Sequence, residues 1–191
     1  MEKIFILLGH SDKETLNGAL ADIYESGAKE AGHDVRRMNI GDLSFDPILH
    51  KGYKEIQELE PDLKQVQENI KWCNHLVLFF PVWHGGPPAI LKGLFDRTFL
   101  PGFAFQFREP QFLGWKKLLG GKTARVVVTS GSPPLLARIL FGDHTNEIKQ
   151  NLLGFAGFKV KITELGPTVK VSESKFKRWQ KKISKLGKIG A

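Results

Sequence analysis

Three short apolar runs constrain the fold more than any other feature of this chain: Ile4–Leu8, Leu76–Phe80, and Val126–Val128 within Ala124–Thr129. Each is too short for a buried helix. None alternates apolar with polar as a strand with one wet face would, so each reads as a central strand covered on both faces. Weaker strand patterns at Asp34–Met38 and Lys159–Thr163 bring the number to five. Helical spacing lies between them. Leu16, Leu20, Ile23 and Gly27 mark a first helix ended by Ala31-Gly32-His33, with the glycine as C-terminal cap. Leu63, Val66, Ile70 and Cys73 mark a second, and Ile90, Leu91, Leu94, Phe95 and Phe99 a third that runs from about Pro88. Further helices are expected over Asn146–Phe155 and over the basic C-terminus.

Strands alternating with helices call for a parallel sheet with helices on both faces, an α/β architecture. Right-handed crossovers then favour the flavodoxin-like strand order 2-1-3-4-5, which sets strands one and three side by side at the switch point. Three segments lie outside the alternation. Asn39–Pro61 reads as a long connection with one helical turn, and Gly102–Trp115, with Phe103, Phe105 and Phe107, as an extended excursion or hairpin. After Ser130-Gly131-Ser132-Pro133-Pro134 a long irregular loop is expected. The 191 residues are expected to form one domain, 1–191, with no repeat or linker.

Composition narrows the function classes. No apolar stretch approaches the roughly 20 residues of a membrane span, and Asp12, Lys13 and Glu14 interrupt the N-terminal run too early for a signal peptide. A cytoplasmic protein is expected. The net charge of +8 concentrates in the last helix, where Phe176, Trp179, Ile183 and Leu186 share one side and the lysines the other. That pattern is a solvated amphipathic face rather than a nucleic-acid surface. The one cysteine, Cys73, allows no intrachain disulfide and reads as a packed thiol. The six histidines show no metal-ligand spacing, and Gly-x-Ser-x-Gly is absent, so neither a metal site nor a hydrolase nucleophile elbow is expected. Asp96 beside Arg97 reads as part of a structural ion pair.

In a parallel sheet the loops after strands one, three and four emerge at one edge. The first, Gly9 to Asn17, lacks both the Gly-x-Gly-x-x-Gly and the nucleoside-triphosphate signatures. It offers hydroxyls and backbone N–H groups at a helix N-terminus, a natural anion site, although a plain capping segment with Ser11 or Thr15 as cap fits equally. The second, Pro81-Val82-Trp83-His84-Gly85-Gly86-Pro87-Pro88, sets flat aromatic surface beside bare backbone. The third, Thr129-Ser130-Gly131-Ser132, is small and hydroxylated. Phosphate donors, an aromatic wall and close backbone approach on one edge fit a flavin mononucleotide better than any other ligand.

Gly9-His10-Ser11 with Thr15-Leu16-Asn17, Pro81 through Arg97 with its Pro88-Ala89-Ile90-Leu91-Lys92-Gly93 segment, Leu100-Pro101-Gly102-Phe103-Ala104-Phe105 and Phe155-Ala156-Gly157-Phe158 resemble the NAD(P)H:quinone oxidoreductase family. This flavodoxin-like branch includes bacterial drug-activity modulators and the ancillary flavoproteins of potassium-efflux systems. The resemblance implies that His10, Thr15, Leu16 and Asn17 hold the phosphate and ribityl part of a flavin. Pro81, Val82, Trp83, His84 and Gly85 would line the isoalloxazine, and Thr129, Ser130, Gly131 and Ser132 its other edge. It further implies FMN (with FAD open), NAD(P)H as donor, a quinone or similar acceptor, and a homodimer to which Phe99–Phe107 contributes. A transporter-regulating flavoprotein and a flavodoxin-type electron carrier are the competing readings. Departures from the family fall at His84, where many relatives carry a second aromatic, and at Ser132, where they carry glycine. The tyrosine–histidine pair of the animal enzymes has no clear counterpart; His144 is the candidate substitute, and His84 and His144 are the two candidate catalytic residues.

Overall fold

A computed structural model describes residues 1–110 and 113–191. In chain order the strands are β1 (Lys3–Leu8), β2 (Asp34–Asn39), β3 (His75–Pro81), β4 (Phe105–Phe107), β5 (Trp115–Lys117), β6 (Thr123–Thr129) and β7 (Lys159–Leu165). The α-helices are α1 (Leu16–Glu30), α2 (Pro61–Trp72), α3 (Ala89–Thr98), α4 (Pro134–Phe141) and α5 (Glu173–Ile189). The five-stranded sheet is parallel, in the order β2-β1-β3-β6-β7, so β6 and β7 are the expected fourth and fifth strands. The hairpin β4–β5 supplies the two extra strands and is antiparallel; it begins within the stretch expected to leave the alternation and runs two residues beyond it.

Alternation along each strand divides the core. Phe5, Leu7, Leu76, Leu78, Phe80, Val126 and Val128 face α2 and α3. Ile4, Ile6, Leu8, Val77, Phe79 and Val127 face α1 and α5. Both faces are covered, which is why the central strands are apolar throughout. α5 meets α1 closely through glycines: a Cβ on Gly187 would stand 2.3 Å from the Tyr24 carbonyl oxygen, and one on Gly27 2.7 Å from that of Ser184. The lysines of α5 face outward, as its pattern predicts, while Trp179 and Ile183 are buried. Cys73, buried at the end of α2, has its thiol pKa pushed up to about 11 by burial, in line with a packed, unreactive group.

Four expectations need correction. The stretch after Ser132 is not irregular: Pro134 occupies the first turn of α4, where its missing N–H leaves nothing unsatisfied. The helix over Asn146–Phe155 is wound as a π-helix over Glu147–Gly154, and Gly154 admits the wide turn, since a Cβ there would lie 2.8 Å from the Lys149 carbonyl oxygen. Asp96 and Arg97 do not pair with each other. Asp96 binds Lys92 one turn back, while the fully buried Arg97 reaches Glu60, the Glu58 carbonyl at 2.9 Å and the Asp46 carbonyl. Arg97 thereby pins the long 39–61 connection, whose one helical turn is the 3-10 turn Ile40–Asp42, onto α3. Finally, Phe99–Phe107 packs mostly inward: edge-to-face contacts join Phe95 to Phe99 and Phe99 to Phe103, and separately Phe105 to Phe155, and Phe107 alone of that segment's phenylalanines is exposed.

Candidate functional site

The three loops lie together at the carboxyl edge of β1, β3 and β6, and the chain ties each to the others. The Gly9 N–H donates to the Phe79 carbonyl at 2.7 Å, and the Val82 N–H to the Thr129 carbonyl at 2.8 Å. The buried Asn17 donates from Nδ2 to Thr129 Oγ1 at 2.9 Å, a contact spanning 112 residues of sequence. The His10 and Trp83 rings meet edge to face, centroids 5.3 Å apart. Strand adjacency alone would bring the loops near one another, and these contacts hold them in one arrangement.

In the first loop Thr15, not Ser11, caps α1, its Oγ1 accepting from the Gly18 N–H at 3.4 Å. Among the described residues the N–H groups of Leu16 and Asn17 have no acceptor, leaving two bare donors at the positive end of α1. His10 Nδ1 accepts from the Asp12 N–H at 2.9 Å, so a neutral His10 carries its proton on Nε2. The loop is also held from outside. Lys13 pairs with Asp42 at 3.2 Å, and a Cβ on Gly41 would come within 2.0 Å of the Ser11 carbonyl oxygen.

The second loop is a tight reversal. Trp83 and Gly86 exchange two backbone hydrogen bonds, at 2.9 and 3.0 Å, and His84 and Gly85 both take positive φ, 50° and 81°. That is the type I′ geometry, which glycine adopts freely and histidine does not. His84 stands exposed at the tip and Trp83 beside it is 45% exposed, while Pro81 and Val82 are half-buried at the base. In the third loop Thr129 and Ser130 are buried, and Ser130 Oγ donates to the Ser132 carbonyl at 2.8 Å. Gly131 is exposed.

His144 does not join the rim loops by any hydrogen bond. It is buried, with Nε2 3.7 Å from Glu164 on β7 and no hydrogen-bond partner. Glu147 is a neighbour that the sequence did not reveal: its carboxylate lies 3.7 Å from where a Cβ on Gly86 would be. It also borders a cavity of about 280 Å³ lined by Phe95, Phe99, Phe105 and Phe155. No local pattern marks it, because the π-helix brings it to the second loop from sixty residues away.

The rim fits the phosphate and ring of a flavin on three observations. Two donors are bare at the start of α1. Asn17 Oδ1 is buried without a donor, as expected of an acceptor waiting for a ligand hydroxyl. A Cβ on Gly85 would meet nothing within 4 Å, and one on Gly131 only Val169 at 3.9 Å, so the backbone there is open to a flat group.

Comparison with known proteins finds relatives of the same fold. NAD(P)H dehydrogenase [quinone] 1 of Cavia porcellus is 27% identical over 187 residues, covering 84% of this chain and 66% of that enzyme. The chain thus spans about two thirds of the length of that relative. The NAD(P)H:quinone oxidoreductase of Methanothermobacter marburgensis has the same fold, with a TM-score of 0.81 at 20% identity and 98% of each chain covered. The FMN-dependent NADH-azoreductase of Bacillus anthracis, solved with FMN, gives a TM-score of 0.74 at 17% identity over the full length of both chains. Among the described residues no helix is long and apolar enough to cross a membrane, and no cluster of histidine, cysteine or acidic side chains has the makings of a metal site. The model of the family described as having a flavodoxin-like fold matches residues 2–188, and the chain belongs to that family.

Proposed function

We propose that the chain is an FMN-dependent NAD(P)H:quinone oxidoreductase acting at the three-loop rim. The observation that carries this reading is the Asn17–Thr129–Val82 linkage, which joins a phosphate-type donor site to open backbone and an aromatic wall. The names of its relatives, quinone dehydrogenases and an FMN-dependent azoreductase, support the same chemistry. A flavin bound there would supply two-electron hydride transfer from a nicotinamide to a quinone. The protein's share is orientation. The Leu16 and Asn17 amides, with Thr15 and His10 Nε2–H beside them, hold the phosphate and ribityl end. Trp83, His84 and Gly85 form one wall for the ring, and Thr129 to Ser132 its far edge. Neither His84 nor His144 needs to move a proton in this scheme. His84, exposed at the turn tip, instead borders the space an acceptor would enter.

A second copy of the chain is the partner proposed for this site. The third loop runs directly into α4, whose Leu135, Leu136, Ile139 and Leu140 are 46 to 73% exposed, a larger apolar surface than an isolated helix face should leave to water.

The test is the absorbance spectrum of the purified protein, mass identification of any released flavin, and NAD(P)H consumption with quinones. FMN release and quinone-dependent oxidation are expected. Absence of flavin after reconstitution, or of turnover with every quinone, would overturn the assignment.

A further inference from the structure

The outer side of α5 carries charge of one sign. Lys177, Arg178, Lys181, Lys182, Lys185 and Lys188 are all exposed and recur every three or four residues, so they form one row opposite the buried Trp179, Ile183 and Gly187. At the helical rise the row is about 16 Å long. Carboxylates meet it only at its ends, Glu173 at 2.6 Å from Lys177 and Glu30 at 3.0 Å from Lys188. Between them Arg178, Lys181, Lys182 and Lys185 have neither an ion pair nor a side-chain hydrogen bond among the described residues.

Such a row works against its own helix. Lys177 with Lys181, Arg178 with Lys182, and Lys181 with Lys185 are like charges one turn apart, each of which weakens a helix. A face that needed only to stay wet would be better served by mixed signs bonding across the turns. The repulsion is relieved when an extended anion covers the row. Exposed apolar side chains mark its two ends, Ile189 at 58% and Val169 at 68% exposure, the latter beside the exposed Lys170 in the turn before α5. Val169 lies 3.9 Å from where a Cβ on Gly131 would be, so this surface reaches the third loop of the rim.

We propose that α5 docks the protein on an anionic lipid bilayer, its cations meeting the headgroups while Val169 and Ile189 touch the interface at either end. The apolar face of α5 is already packed on α1, so the attachment is electrostatic and reversible, without insertion of the helix. Nucleic acid is disfavoured because its recognition draws on arginine forks and exposed rings, whereas the row has one arginine and Trp179 is buried. A folded protein partner takes its register from a central apolar or aromatic cluster. Here the apolar groups stand only at the ends. The choice of a bilayer also rests on the reading of the rim as a quinone site, since apolar quinones collect in bilayers and Val169 sets the third loop beside that surface.

The test is co-sedimentation of the whole protein with vesicles of phosphatidylcholine, with and without one third phosphatidylglycerol, at about 0.1 M salt. Binding is expected only to the anionic vesicles, and it should be lost when salt is raised to about 0.5 M. Replacing Arg178, Lys181, Lys182 and Lys185 together by Gln should weaken it on the order of a hundredfold or more. The helical circular dichroism and the turnover of a water-soluble quinone should stay unchanged in that variant. A control that loses the same charge elsewhere, at Lys51, Lys54, Lys64 and Lys116, should keep most of the binding. No sedimentation with anionic vesicles, equal binding to neutral ones, or equal loss in the two variants would each overturn the proposal. Displacement from the vesicles by an equal charge of duplex DNA or polyglutamate would do the same, assigning the row to a nucleic acid or an acidic protein. Vesicle binding is read without turnover, so its failure is distinct from failure of the quinone assignment.

Discussion

At the scale of single residues, the strongest dependence of the fold on one side chain is at Arg97. Its guanidinium is wholly buried and satisfies two carbonyls and a carboxylate from a segment that has almost no regular structure of its own. Burial alone would push the Glu60 pKa up, but the amides of Asp46 and Glu60 and the Arg97 charge outweigh it and hold the carboxyl below its usual range. Removing the guanidinium strips the Asp46 and Glu58 carbonyls of their donor and leaves its space empty, while the partly exposed Glu60 can turn to water, so Arg97→Ala is expected to lower stability by about 2–4 kcal/mol. Asp96→Asn, which breaks only the exposed Lys92 pair, should stay within about 1 kcal/mol. Urea denaturation of the two variants checks the contrast, and equal effects would contradict it. His75 gives a pH signature. Its folded pKa, pushed down to about 4 by burial and by the positive charge of Arg125, His33 and Lys161, lies below the unfolded value of about 6.5. The unfolded chain therefore binds the extra proton between those values, and the stability present above about pH 6.5 is lost as pH falls toward 4. That loss is of order 3 kcal/mol for a group this buried. His75→Gln should show a shallower decline over that window than the parent, measured by denaturation at several pH values. Identical slopes would show that the ring is not held neutral.

At the scale of elements, periodicity located the strands and most helices because their side chains are buried in a simple geometric pattern. Leu63, Val66 and Ile70 of α2 are all fully buried, as their spacing predicts. The α1–α5 contact shows what spacing does not convey. Gly27 sat in the helical pattern as if it were merely small, whereas it and Gly187 are where two backbones approach too closely for a side chain. Gly187→Val should thus force the helices apart and destabilise the protein by about 1–3 kcal/mol or more. Gly32→Val meets no neighbour but suffers positive φ, so it separates steric clash from backbone strain. Thermal denaturation of both decides, and Gly187→Val as stable as the parent would refute the close-contact account. α4 was missed because Pro133-Pro134 was read as an end when it was a beginning. Leu135, Leu136, Ile139 and Leu140 carry a helical repeat, but with no core to face, the repeat did not announce a buried stripe.

At the scale of the whole molecule, that exposed repeat is a prediction about assembly. If a second copy covers α4, Ile139→Lys with Leu136→Lys should convert dimers to monomers in sedimentation while the far-ultraviolet circular dichroism stays unchanged. A monomeric parent protein would overturn the dimer. What the sequence determined by itself was the parallel sheet, its order, and the meeting of three loops at one edge. Those follow from local facts: buried runs of strand length, helical spacing between them, and the handedness of crossovers. The tertiary structure decided what depends on contacts between distant residues. Asn17 with Thr129, Arg97 with Glu60, and Glu147 beside Gly86 lie 112, 37 and about 60 positions apart. The row His75–Thr123–Lys159 likewise comes from register between strands. A periodicity records which face of an element is buried, but not which residue waits on the other side, and it is that pairing which leaves two amides bare at one edge of this sheet and an arginine and a histidine nitrogen without partners at the other.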